Sequence, residues 1–130
     1  VVMFPAGGIA TANAPVTGRA FDAEWHPFAG RLATIPGVST LPVHFPGQNS
    51  RLFQIASHLS YPLRVSLIFH ETRRRMGQSL PVVLGDAIPA SALQHLARGD
   101  VAGVLRRRTM ELAGLRDQGE VFHWPSHVKW

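Results

Sequence analysis

The residues best suited to hold an anion lie in two apolar runs broken by Pro and Gly. These are Val1-Val2-Met3-Phe4-Pro5-Ala6-Gly7-Gly8 and Leu41-Pro42-Val43-His44-Phe45-Pro46-Gly47-Gln48-Asn49-Ser50. Glycines such as Gly7 and Gly8 let backbone N–H groups approach an anion with no Cβ in the way. Asn49 offers an amide either to a substrate or to the first turn of a following helix. Each run reads as a buried strand that passes its last residues to a loop. In open α/β sheets, ligands bind beyond such carboxyl ends.

The remaining chemistry-bearing residue types are dispersed. Seven His (26, 44, 58, 70, 95, 123 and 127) show no metal-ligand spacing, and zero Cys excludes disulfides, thiolate metal sites and cysteine nucleophiles. The chain holds 13 Lys+Arg against 8 Asp+Glu, for a formal charge of +5, and twelve of the thirteen cations are Arg. Arg pairs bidentately with phosphate and carboxylate, which favours anionic partners: lipid headgroups, an acidic carrier protein or nucleic acid. No recognised nucleic-acid-binding motif accompanies the charge. On a helix the triplets Arg73-Arg74-Arg75 and Arg106-Arg107-Arg108 fan across about 200°, so neither presents a single cationic face. Arg108 falls on an apolar face and must snorkel or pair.

The elements that position these residues follow from the apolar pattern. A 130-residue chain with 45% apolar and 16% charged residues fits one globular domain. Residues 1–4 read as a buried strand and 5–20 as a long loop. Pro27 opens a helix whose Phe28, Leu32 and Ile35 share a face, stopped by Pro36-Gly37. Residues 39–45 form a second strand. Asn49 or Ser50 caps a helix lined by Leu52, Ile55, Ala56 and Leu59. After Tyr61-Pro62, a helix runs from about 63 to 76 and ends at Gly77, with three Arg in its last turn. Residues 80–85 make a third strand, and Pro89 opens a short helix to about 98. Asp100 caps a last helix with Val101, Val104, Leu105 and Leu112 inward and Gly114 as its stop. This alternation predicts an α/β fold with a mainly parallel sheet flanked by helices. Residues 1–114 form its body; 115–130 form a tail whose aromatics and cation suit either an interfacial segment or a frayed end. No run approaches the ~20 apolar residues of a membrane span.

These blocks resemble, in order, those of the phospholipid/glycerol (lysophospholipid) acyltransferase family, and most closely its bacterial putative-hemolysin branch. Phe4-Pro5-Ala6-Gly7-Gly8 resembles the F-P-E-G block, which that branch varies to F-P-A-G-E. Neither Ala6 nor Gly8 is acidic here, although one version places a carboxylate at each position. Asp22-Ala23-Glu24-Trp25 resembles a D-x-x-W segment, in which a loop Trp plugs the core. The stretch from Leu41 through Asn49-Ser50-Arg51-Leu52-Phe53 resembles V-P-V-x-F-x-G-x-N-S-x-L-F. Tyr61-Pro62-Leu63-Arg64 and Glu71 resemble H-P-x-L-R and L-x-x-E-L. Residues 82–89 resemble V-x-I-G-x-P-I. The likeness is collinear from residue 1 to about 113.

The resemblance implies a glycerolipid-acyltransferase-like domain represented here by its C-terminal part. Its activity would move a fatty acyl group from acyl-CoA or acyl carrier protein to a phospholipid acceptor. It would work at an anionic membrane surface, peripherally on the cytoplasmic face. Phe4, Pro5, Gly7, Gly8 and Asn49 would contact substrate, and no metal or cofactor is required. The family's H-x4-D pair, a general base with its orienting carboxylate, belongs upstream of the F-P-E-G block. The one literal match, His95 to Asp100, stands downstream of every other block and is interrupted by Gly99, so no catalytic residue is assigned. The missing carboxylate suits an alternative: a non-catalytic relative that binds lipid headgroups or acyl carrier protein.

Overall fold

Local signals fix where the helices start and stop. His26 accepts a hydrogen bond from the Phe28 amide at 3.2 Å, and Pro27 takes the first helical position, where no N–H is needed. Ser50 accepts from the Phe53 amide at 3.2 Å, and Pro62 opens the next helix within its first two positions. Gly77 and Gly114 adopt φ of 77° and 71° just past two helix ends, a conformation that glycine reaches without penalty. The computed structural model describes residues 1–114 and 120–128. In chain order its elements are β1 (Thr11–Ala12), β2 (Ala20–Phe21), α1 (Pro27–Ala33), β3 (Ser39–Thr40), β4 (Val43–His44), α2 (Arg51–Leu59), α3 (Tyr61–Arg75), β5 (Val83–Leu84), β6 (Ile88–Pro89), a 3-10 turn at Ala90–Ala92, and α4 (Val101–Glu111).

These elements fall into two compact units. The first comprises Val1–Gly8, Glu24–Pro46 and Pro81–Glu120. Its core joins Ala33, Leu93, Val101 and Leu105, with Trp25, Ile88 and Leu96 packed against it. Helix α1 meets α4 closely because Gly30 has no side chain: a Cβ there would lie 3.1 Å from both the Ala102 amide nitrogen and the Val101 Cβ. Strands β3 and β6 pair antiparallel, as do β4 and β5. Between the two pairs, residues 41–42 oppose 85–87, so the second strand carries one extra residue, as in a β-bulge. The Gly85 amide bridges the gap to the Pro42 carbonyl at 2.9 Å.

The second unit comprises Ile9–Ala23, Gly47–Leu80 and Val121–Trp130. Here β1 and β2 form an antiparallel pair, α2 packs against α3, and β1 lies on α2. The segment after residue 120 belongs to this unit. Phe122 is buried, its amide donates to the Asp22 carbonyl at 3.2 Å, and Asn13 bonds the backbone of both Val121 and His123. The expected tail is therefore packed over residues 121–128. Its last two residues and 115–119 lie outside the described residues.

Several expectations are corrected. The fold is mixed α and β, but every strand pair among the described residues is antiparallel, and no parallel sheet is formed. The seven-residue connection from β1 to β2 is too short for the dozen or more residues of a parallel crossover. Pro42, Pro81 and Pro89 withhold amide donors, which keeps the other ladders short. Residues 1–4 form no strand: Val1, Val2 and Phe4 are exposed. The strands expected over 39–45 and 80–85 shrink to the two-residue pieces of β3, β4 and β5. The helix expected from Pro89 to about 98 is a single 3-10 turn. In α1 the buried positions are Ala29, Gly30 and Ala33 rather than Phe28 and Ile35. In α2 they are Phe53, Gln54, Ala56 and Ser57 rather than Leu52, Ile55 and Leu59.

Candidate functional site

In the second unit, one polar cluster organises the motif residues. The Arg64 side chain is 4% exposed and lies between two aromatic rings, its Cζ 4.9 Å from the Phe53 centroid and 4.8 Å from that of Trp124. The guanidinium donates to Thr11 Oγ1 and Ser57 Oγ, each at 2.7 Å, and to the Ile9 carbonyl at 2.8 Å. Burial pulls its pKa below the ordinary value, with Tyr61 acting in the opposite direction. Neutral oxygens and π faces thus replace water around the charge; a desolvated cation–π contact contributes about 2 kcal/mol. Beside it, fully buried Gln54 accepts from the Ala12 amide at 2.9 Å, and His58 Nε2 lies 2.7 Å from the Ala12 carbonyl.

Asn49 and Ser50 stand at the start of α2. Ser50, not Asn49, is the N-cap residue. Its amide donates to Glu71 Oε2 at 3.0 Å, and its hydroxyl donates to Glu71 Oε1. The carboxylate therefore closes the first turn of α2 from the neighbouring helix, where negative charge complements the dipole. Desolvation pushes the Glu71 pKa up, but the two Ser50 hydrogen bonds, with Arg74 and His70, outweigh it and hold the group below the ordinary carboxylate range. Asn49 is half-buried; its carbonyl lies 3.5 Å from Gln54 Nε2. Arg75 Nη2 donates to the Gln48 carbonyl at 2.7 Å, beside Gly47 with its φ of 114°.

Phe4, Pro5, Gly7 and Gly8 belong to the first unit. They make a tight turn in which the Gly7 amide donates to the Phe4 carbonyl at 3.1 Å. Gly7 has φ of 64°, and a Cβ there would meet nothing within 4 Å, so the turn needs glycine for its backbone rather than for a close approach. The Pro5 carbonyl accepts from the His26 amide at 3.0 Å. The expected substrate-contacting residues are thus divided, four in one unit and Asn49 in the other.

His95 and Asp100 are both exposed in turns, and Asp100 occupies the expected N-cap position of α4, though through its backbone carbonyl and without a side-chain cap bond. No group of three or more His, Cys, Asp or Glu able to hold a metal occurs among the described residues. Arg108 escapes the apolar face by pairing with Glu111 at 3.7 Å. Trp25 packs against the first unit's core, the plain role expected of it. Sequence reasoning missed Arg64, Gln54 and Trp124 as an organising cluster. The available signal was the i, i+7 spacing of Arg64 and Glu71, which puts both on one side of α3. No family model matches the chain, and comparison with curated proteins and with solved structures gives no match.

Proposed function

We propose that this chain is part of an acyltransferase that moves a fatty acyl group from acyl-CoA or acyl carrier protein to a lysophospholipid or glycerolipid acceptor. It would act peripherally at the cytoplasmic face of a membrane, and residues 1–130 would serve acceptor binding. One observation carries the reading: three residues from successive collinear blocks, Ser50, Arg64 and Glu71, are among the buried or half-buried polar residues that join α2 and α3, with Ser57 as the partner of Arg64. Each unit offers its own element of the kind that suits an acceptor phosphate, the glycine turn at Phe4–Gly8 in the first and the Asn49 side-chain amide in the second. The base that deprotonates the acceptor hydroxyl would come from outside these residues, since His95 and Asp100 form no pair.

The absence of an acidic residue at Ala6 and Gly8 favours a second reading, a non-catalytic relative that binds headgroups or acyl carrier protein. Thermal unfolding with ligand separates the two. A part of a working site is stabilised by both lysophosphatidate and acyl donor; a headgroup binder responds to lysophosphatidate alone. The isolated chain is expected to transfer no radiolabelled acyl group. No shift with either ligand would refute both readings, and measurable transfer would return His95 and Asp100 to consideration.

A further inference from the structure

The +5 charge is not spread over the chain. By sequence count the first unit holds six Lys+Arg and six Asp+Glu, and the second holds seven against two. Within α2 and α3 the asymmetry is complete. Glu71 is buried on Ser50 and Arg64 is buried between rings, so every exposed, formally charged residue on these helices is an arginine: Arg51, Arg73, Arg74 and Arg75.

The same helices turn large apolar residues outward. On α2, Leu52, Ile55 and Leu59 follow i, i+3, i+7 spacing and are 55%, 37% and 66% exposed. On α3, Val65, Phe69 and the capping Met76 share one side, with Phe69 at 80% and Met76 at 71% exposure, and Arg73 adjoins that stripe. Polar contacts hold the inner faces (Gln54, Ser57, Arg64, Glu71), so the exposure follows from the packing of this unit. Apolar stripes whose exposed, formally charged neighbours on these helices are all cations suit a deformable anionic partner; a rigid protein would need a matching groove. Among the described residues no helix is long and apolar enough to cross a membrane, while helices of this pattern lie in the interface with their apolar side in the headgroup region.

We infer that the outward stripes of α2 and α3 dock this unit on an anionic lipid bilayer, with Leu52, Ile55, Leu59 and Phe69 entering the headgroup boundary and Arg73 pairing with lipid phosphates and carboxylates. The inference rests on the membrane-surface part of the proposed function and not on acyl transfer.

The test is co-sedimentation of the 130-residue chain with vesicles of diacyl phosphatidylcholine, with and without 30% diacyl phosphatidylserine as an arbitrary but usual anionic share (about a third). No lysolipid or acyl donor is present, so the result is independent of the acyltransferase reading. Binding is expected to need the anionic lipid and to weaken at high salt. The exposed variant R73Q should lose roughly fivefold in partition, and F69S about tenfold. L59S provides a second apolar probe, and circular dichroism checks that each variant is folded. Failure of the native chain to sediment with anionic vesicles overturns the inference. So does binding that survives all three variants, or salt-sensitive capture by acyl carrier protein with none by vesicles. If vesicles bind while lysophosphatidate and acyl donor leave thermal unfolding unchanged, the docking surface stands and the acyltransferase reading falls.

Discussion

In the first unit, α1 reaches α4 through Gly30 and Ala33, set against Val101, Ala102 and Leu105, and cations equal acids in number. In the second, the interior around α2 and α3 holds an arginine, a glutamine, a glutamate, a serine and a threonine, each hydrogen-bonded, and the unit carries the entire net charge. The first unit thus combines close apolar approach with a buried Arg106 and Thr109 on α4, while the second relies more heavily on polar groups whose desolvation is offset bond by bond. Both units leave large apolar side chains outside, Phe4 and Leu84 in the first and Phe69 and Leu59 in the second.

The comparison breaks most directly at Arg64. Arg64→Ala should cost about 3 kcal/mol or more in denaturant unfolding, because it empties the space between Phe53 and Trp124 and strands the Thr11, Ser57 and Ile9 oxygens. A loss below about 1 kcal/mol would mean that the polar interior is readily rehydrated. Next comes the first unit's close approach: Gly30→Leu should cost about 2 kcal/mol by driving a side chain into the Ala102 backbone. If α1 and α4 simply move apart, the change will be near neutral and the contact is less tight than its geometry requires.

Glu71 sharpens the contrast through pH. Its folded-state pKa lies below its unfolded value, so its contribution is complete above the unfolded carboxylate pKa and is lost as pH falls through the folded one. Glu71→Gln should cost about 1 kcal/mol at pH 7 and flatten that part of the acid limb of stability against pH. An unchanged acid limb in the variant would remove Glu71 from the account. The smallest effect belongs to the first unit's surface. Arg108→Ala breaks an exposed pair with Glu111 at 3.7 Å and should change stability by less than about 0.5 kcal/mol.

How much of this was legible depends on range. The boundaries of α2, α3 and α4 could be read from Ser50, Pro62, Gly77 and Gly114, whose effects act within a turn of the backbone. The inward phase of α4 was equally plain, since Val101 and Leu105 are both apolar and buried. The phases of α1 and α2 were not. Apolar periodicity assumes that the largest hydrophobes point inward, and here glycine, alanine, glutamine and serine do. Within the candidate site, Asn49-Ser50 announced a cap, but nothing nearby in sequence says that Glu71, 21 residues on, completes it.

By itself, then, the sequence determined roughly where α1 to α4 begin and end, that thiolate chemistry is impossible, and that the chain is cationic through arginine, though not that the segment after Pro89 makes only a 3-10 turn. Caps, prolines and composition act locally or globally without reference to partners. Only the tertiary structure decided strand direction, which faces are buried, and that Arg64 becomes an interior residue between Phe53 and Trp124. It also decided which region carries the charge. Each of these depends on contacts between segments tens of residues apart, and a buried arginine is tolerable only once distant oxygens and rings have gathered around it to replace water.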